Sequence, residues 1–142
     1  MRKIRANLWE HFINYDMHEN EITFLIRGAI FKVYNTLGPG LLESSYEAAM
    51  EYELVKAGLF VEKQVAMPLI YEELQLNVGY RVDLLVEKKV ILEIKSVELL
   101  QNVHHLQIMT YLRLAKVKVG LLVNFNTDDL PKNIIRKING YL

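Results

Sequence analysis

The chain has 142 residues, of which 51% are hydrophobic and 24% charged, and its 17 Lys and Arg balance 17 Asp and Glu. This length suits one domain, and the apolar fraction is too high for a disordered chain. The absence of cysteine excludes a disulfide scaffold, a thiolate zinc site, an iron–sulfur cluster and a cysteine hydrolase. A net charge of zero argues against a general polyanion binder, although it does not exclude a local basic groove.

Neither a membrane span nor a secretion signal is visible in the sequence. No stretch reaches the roughly 18 uncharged apolar residues that a membrane-spanning helix needs. The N-terminus carries Arg2, Lys3 and Arg5 but lacks the apolar run of a signal peptide. We therefore expect a soluble, cytoplasmic protein without a membrane partner.

The chain divides into an N-terminal arm of residues 1–19 and one domain of residues 20–142. Two helices are predicted at the start of this domain. Apolar residues recur at helical spacing over residues 22–33, where Asn20 or Thr23 is a candidate N-cap, and the Gly38-Pro39-Gly40 turn ends this helix. A second apolar face at residues 42–54 predicts another helix that stops at Gly58.

The rest of the domain has the patterns of strands and one more helix. The predicted elements are an edge strand at 65–71 with Pro68, two hairpin strands at 78–86 and 89–96, a helix at 102–115 with Asn102 as its cap, and a doubly buried strand at 119–125. Residues 134–142 fit a short strand or a helix. The order α-α-β-β-β-α-β predicts an α/β fold with a mixed β-sheet flanked by helices.

The predicted hairpin carries three ionisable residues, Asp83, Glu93 and Lys95, in otherwise apolar strands. Successive side chains of a strand alternate faces, so Glu93 and Lys95 share one face. Such groups are costly to bury unless they are paired or bind a metal. Two carboxylates suit a hard cation such as Mg²⁺, and a neighbouring ammonium group can orient or deprotonate an attacking water.

The register of the hairpin decides whether Asp83 and Glu93 meet. A three-residue loop at 87–89 places the two residues directly opposite each other. A two-residue loop at 87–88 would place Asp83 opposite Leu92 and turn Glu93 to the other face, unless a bulge restored the geometry. The simpler explanation is a solvated strand edge with an ordinary ion pair, and the Glu-x-Lys element alone favours it.

Further polar residues lie where a shared site would need them. On the predicted helix, His104, Gln107 and Tyr111 are spaced by three and four residues and therefore lie along one face. Glu43 lies in the first turn of the second helix. Each also has a simpler explanation: His104 near a helix cap, Gln107 in solvent, Tyr111 in the core, and Glu43 as a favourable partner of the helix dipole. One site explains all four together.

Four blocks of the sequence, taken in order, resemble a known family. They are Gly40-x-x-Glu43-x-x-Tyr46, Asp83, Glu93-Ile94-Lys95 and Gln107-x-x-x-Tyr111. Over residues 21–137 the chain resembles the small GxxExxY proteins, which are assigned to the PD-(D/E)XK nuclease superfamily. The resemblance implies a restriction-endonuclease-like core, which agrees with the predicted order of elements.

The resemblance also implies a nuclease that uses Mg²⁺ or Mn²⁺ to hydrolyse phosphodiester bonds. Asp83 and Glu93 would be the metal-binding carboxylates, and Glu43 would complete or support the metal site. The main-chain carbonyl of Ile94 is a further candidate ligand. Lys95 would act as general base or stabilise the transition state. The expected substrate is DNA, with RNA left open.

Four residues are implied as substrate-binding or supporting groups. Gln107 and Tyr111 match a helix motif that, in related exonuclease domains, contacts the DNA end or supports the catalytic residues. Tyr46 belongs to the family's signature, and His104 is placed to contact phosphate. These roles follow from the resemblance and from the shared helix face.

Two alternatives remain open from the sequence. One is a catalytically silent protein of the same fold that binds nucleic acid or acts as an accessory factor. The other is a structural protein whose ion-pair network only resembles a site, marked by carboxylates capped by main-chain amides and by stability without metal. A chain this short would need a second subunit to embrace a duplex, so we predict a homodimer with the arm residues Trp9, Phe12 and Tyr15 as its candidate contact.

Overall fold

The structure, a computed structural model, describes residues 16–77 and 79–142. Within these ranges the elements in chain order are helices α1 (Glu19–Leu37) and α2 (Glu43–Lys56), strands β1 (Val61–Ala66), β2 (Leu69–Tyr71), β3 (Leu74–Leu76), β4 (Arg81–Val86) and β5 (Val90–Lys95), helix α3 (Asn102–Ala115), strand β6 (Val119–Asn124), a 3-10 turn (Leu130–Asn133) and strand β7 (Ile134–Ile138). None of the helices in the described residues is long and apolar enough to span a membrane. The predicted contact residues of the arm lie outside the described residues.

A mixed sheet of five strands in the order β1-β4-β5-β6-β7 forms the centre of the domain. Strands β5 and β6 run parallel, and the other neighbours are antiparallel. Helix α3 makes the crossover that a parallel pair requires. The predicted mixed sheet with flanking helices is therefore confirmed.

Helices cover both faces of the sheet, and each face has its own apolar core. Helices α1 and α2 pack on one face and α3 packs on the other. All six residues of β6 are buried, as predicted for a strand that is covered on both faces. At Gly120 the approach of α3 is close, because an added Cβ would lie 2.9 Å from Cδ1 of Ile108.

The strand predictions were wrong in two details. The strand predicted at 65–71 is divided at Met67-Pro68, because proline has no N–H to donate to a neighbouring strand. Strand β1 ends before these two residues, and β2, which follows them, pairs with β3 in a separate two-stranded sheet. Five strands therefore precede α3 instead of three. The untyped segment at 134–142 contains strand β7, which pairs with β6 at the edge of the main sheet.

The helix caps also differ from the predictions. His18, and not Asn20 or Thr23, is the N-cap of α1, since its Nδ1 accepts the N–H of Asn20 at 3.0 Å and Oε1 of Glu21 accepts the N–H of His18 at 3.1 Å. At the other end Gly38 has a φ of +68°, which favours glycine.

The hairpin of β4 and β5 has the register that the site hypothesis requires. Val86 pairs with Val90 and Leu84 with Leu92, so the loop is the three-residue one at 87–89. The same register places Asp83 opposite Glu93. Main-chain pairing stops one step earlier, at Leu84 and Leu92, which leaves a gap in the ladder where the two acids face each other.

Candidate active site

The side chains of Asp83 and Glu93 replace the missing ladder between β4 and β5. Oε2 of Glu93 accepts the main-chain N–H of Asp83 at 2.9 Å. Oδ2 of Asp83 accepts the N–H of Ile94 at 2.7 Å. These two bonds satisfy main-chain donors that the strands no longer pair, and they fix both carboxyl groups in the same gap.

Glu93 carries the largest electrostatic perturbation of the site. Its residue is only 2% exposed. Burial raises the pKa of its carboxyl, and the neighbouring Asp83 carboxylate raises it further, to about 9, against smaller opposing contributions from the Asp83 N–H and from Lys95. Without a cation, Glu93 is therefore protonated at neutral pH.

Lys95 connects this pair to helix α3. Its Nζ donates to Oε1 of Gln107 at 3.0 Å, and Nε2 of Gln107 donates to the hydroxyl of Tyr111 at 3.2 Å. Tyr111 is 4% exposed, and burial, with a further contribution from the charge of Glu93, raises the pKa of its hydroxyl. The predicted polar face of α3 thus reaches the hairpin through Gln107 and Tyr111.

Glu43 borders the same site from helix α2 but makes a different contact. Its Oε2 accepts the N–H of Ser96, the residue after β5, at 3.3 Å. It also lines a cleft of about 260 Å³ together with Ser44, Glu47, Gln64 and Asp83. Glu43 and Asp83 therefore face one cleft, from α2 and from β4.

Tyr46 is placed as a supporting residue. Its side chain is fully buried, and its ring stacks on Phe125 with the ring centroids 4.4 Å apart. Its hydroxyl donates to the carbonyl of Gly38 at 2.6 Å and accepts the N–H of Leu41 at 3.1 Å. Tyr46 therefore closes the turn that leads into Glu43, and its burial leaves no surface for a substrate.

His104 lies at the start of α3, away from the carboxyl pair. Its Nδ1 accepts the N–H of Gln101 at 2.9 Å. Gln101, and not the predicted Asn102, is the N-cap, and its main-chain carbonyl accepts the N–H of His104 at 2.9 Å in return. Among the described contacts, no hydrogen bond joins His104 to Asp83, Glu93 or Lys95.

Of the residues that line the cleft, Ser44, Glu47 and Gln64 were not predicted from the sequence. Nε2 of Gln64 donates to Oε1 of Glu47 at 2.6 Å and lies 3.5 Å from Oδ1 of Asp83. Burial raises the pKa of Glu47, against an opposing contribution from the Gln64 amide. Glu47 follows Glu43 by four residues, so the shared helix face could have revealed it. Gln64 had no such signal, since the strand was predicted to begin at Val65.

The carboxyl pair suits a hard divalent cation in its donor chemistry. Asp83 and Glu93 offer carboxylate oxygens, and a divalent cation would relieve the repulsion that raises the pKa of Glu93. No group of three or more His, Asp or Glu side chains in residues 16–77 and 79–142 is arranged to hold a metal. Main-chain carbonyl groups or water must therefore complete such a site.

Comparison with protein families finds one match that spans most of the chain. The family described as the PD-(D/E)XK nuclease superfamily matches residues 20–138, which contain the carboxyl pair and Lys95. Comparison with the curated proteins and with the solved structures finds no match. The five-stranded mixed sheet with its flanking helices is consistent with the restriction-endonuclease-like core predicted above.

Proposed function

Because the chain belongs to the PD-(D/E)XK nuclease superfamily, we propose that it is a nuclease that hydrolyses phosphodiester bonds of DNA with Mg²⁺ or Mn²⁺. One observation carries the proposal: the half-buried Asp83 and the buried Glu93 form a carboxyl pair, with Lys95 on the same strand face as Glu93. Burial of Glu93 beside the Asp83 carboxylate opposes folding, and such perturbed groups concentrate at functional sites.

The cation would be held by Asp83 and Glu93, with the carbonyl of Ile94 and water as further ligands, and Glu43 would support the site from the other side of the cleft. When bound, a divalent cation supplies a water of lowered pKa and offsets the negative charge that develops on the phosphoryl oxygens. The bonds from the N–H groups of Asp83 and Ile94 occupy one oxygen of each acid of the pair. Each acid thereby keeps its second oxygen for the cation.

We assign to Lys95 the role of orienting the attacking water or of stabilising the charge on the phosphate. Gln107 accepts from its Nζ, and Tyr111 accepts from Gln107 in turn. This chain of bonds holds the ammonium group beside the carboxyl pair. An ammonium group in this place can orient the water or stabilise charge on the phosphate.

We extend the proposal to the GxxExxY group of the superfamily. The support is local: Tyr46 closes the turn that begins at Gly38, and Glu43 follows that turn directly. The Gly, Glu and Tyr of the motif thus act as one structural unit that brings a carboxylate to the cleft. DNA as substrate, a phosphate contact by His104, the homodimer and the cytoplasmic location all stay predictions.

A structural role is the second candidate, and one observation favours it. One oxygen of each carboxylate accepts a main-chain N–H, which is the arrangement expected of acids that only stabilise the fold. A structural site would, however, gain more from one acid facing Lys95 than from two acids facing each other, because the acids repel. A catalytically silent relative that binds nucleic acid would have the same geometry.

A cleavage assay with matched variants tests the proposal. Wild type is expected to cut single- or double-stranded DNA in Mg²⁺ or Mn²⁺ and to stop in a chelator. Asp83→Asn should lower the rate at least about 100-fold, because the amide loses the charge that binds the cation. Asp128→Asn, at an exposed position, serves as the control and should cut normally. Equal rates in wild type and Asp83→Asn, or cleavage that a chelator does not stop, would contradict the proposal.

A further inference from the structure

Gln64 has an unusual backbone conformation in the middle of an edge strand. Its φ is +51°, in the left-handed region that is unfavourable for any residue with a Cβ. Pairing of β1 with β4 continues in the same register on both sides, from Lys63–Leu84 to Val65–Val82. The interruption therefore involves one position of each strand, and that position sets Gln64 opposite Asp83.

Both strands change faces at this position. Residues four apart in a regular strand share a face. Yet Val61 packs in the core under α1 and α2, whereas Val65 packs in the core under α3. Strand β4 also changes faces, because Val82 packs in the core under α3 and Leu84 in the core under α1 and α2, although residues two apart in a regular strand share a face. The distortion thus lies at the residue that carries the first carboxylate of the candidate site.

The side chain of Gln64 joins helix α2 to that carboxylate. Its Nε2 donates to Oε1 of Glu47 at 2.6 Å, and the same nitrogen lies 3.5 Å from Oδ1 of Asp83, the outer limit of a hydrogen bond. The guanidinium of Arg81 donates to the Gln64 carbonyl at 3.3 Å. Since Oδ2 of Asp83 accepts the N–H of Ile94, the carboxylate is held from both sides.

We propose that Gln64 is a positioning residue for Asp83, and that its amide, anchored on Glu47, orients Oδ1 toward the cation site. The left-handed backbone turns the amide into the cleft, and Glu47 fixes the amide plane. The proposal rests on the proposed nuclease function for its purpose, but the positioning itself is a property of the metal-free protein. Strained backbone that persists at a site is expected where the strain serves the site.

The rival explanation is that the left-handed backbone only lets β1 follow the face change of β4. Gln64→Gly distinguishes the two explanations, because glycine adopts this φ without strain but has no side-chain amide. Gln64→Asn is a second variant, since asparagine tolerates the left-handed region and its amide is one methylene too short to reach both acids. Lys88→Gly is the control, because Lys88 has a φ of +56° in the hairpin loop, at the other end of β4.

Three readouts on the full chain test the proposal: the melting temperature, the amide resonance of Ile94 without metal, and Mn²⁺ affinity. Both glycine variants should melt at or above the wild-type temperature. Gln64→Gly and Gln64→Asn should shift the Ile94 resonance and weaken Mn²⁺ binding roughly tenfold, whereas Lys88→Gly should change neither. An Ile94 resonance in Gln64→Gly identical to that of wild type would overturn the proposal. If wild type binds no Mn²⁺, the nuclease function fails, and the Ile94 resonance alone still decides whether Gln64 positions Asp83.

Discussion

Replacing Glu93 by Gln is expected to lower DNA cleavage at least about 1,000-fold without lowering the stability of the metal-free protein at about pH 8. The Gln side-chain oxygen can still accept the N–H of Asp83, the bond that Oε2 of Glu93 makes. Its NH₂ group would face the Asp83 carboxylate as a donor, in place of the proton on Glu93. The variant thus keeps the geometry and loses the charge that a cation needs.

Cleavage rates and thermal unfolding of the same samples measure this combined effect. Glu98→Gln, at an exposed position shortly after β5, is the matched control and should leave both quantities unchanged. An unstable Glu93→Gln would show that the carboxyl group supports the fold. A Glu93→Gln that cuts DNA at the wild-type rate would remove Glu93 from the reaction.

Without divalent cations, the melting temperature is expected to fall as the pH rises from about 5 toward 9. Burial and the Asp83 charge raise the pKa of Glu93 from 4.5 to about 9 in the folded state. The folded chain therefore binds more protons than the unfolded chain between these values. The stability that this proton contributes is fully present below the unfolded pKa and is lost as the pH rises through the folded pKa.

The difference between wild type and Glu93→Gln isolates this contribution from the other titrating groups. The variant should melt at a temperature that depends less on pH over the same range. Saturating Mn²⁺ should likewise flatten the wild-type dependence of melting temperature on pH. The cation takes the place of the proton on Glu93, and protons compete less with the cation as the pH rises. Parallel pH profiles for wild type and Glu93→Gln would mean that Glu93 does not titrate with folding in this range.

The spacing of apolar residues and the alternation of side chains along strands predicted most of the fold. The apolar spacing and the flanking turn residues placed α2 and α3 within a residue or two of their observed bounds, and α1 within a few residues. The hairpin register followed from one requirement, that Asp83 and Glu93 share a face, and the observed loop at 87–89 meets it. Long amphipathic helices and a hairpin with a charged turn carry strong local signals.

The short hairpin of β2 and β3 and the helix caps were not predictable by these means. Strands of three residues have too few positions for an alternation to be recognised, and Pro68 obscured the boundary before β2. His18 and Gln101 are unusual N-caps. The prediction therefore chose nearby Asn and Thr residues, which are the residue types preferred at this position. Caps of this kind depend on a reciprocal bond that sequence does not show.

The candidate site was predicted as a set of residues but not as a physical environment. Asp83, Glu93, Lys95, Gln107 and Tyr111 do come together. The burial of Glu93 and the gap in the ladder arise from tertiary packing, so no local pattern could reveal the raised pKa. Gln64 was missed for the same reason, since its bond to Glu47 joins an edge strand to a helix. Glu47 itself follows Glu43 by four residues on one helix and could have been recognised.

Titration calorimetry of Mn²⁺ into the metal-free protein is the most direct test of the carboxyl-pair site. Wild type is expected to bind the cation, with an affinity that rises with pH as Glu93 loses its proton. Asp83→Asn and Glu93→Gln should each lose that binding while remaining folded. Binding of equal strength in wild type and both variants, or no binding in any of them, would show that Asp83 and Glu93 are structural acids and not the metal ligands of a nuclease.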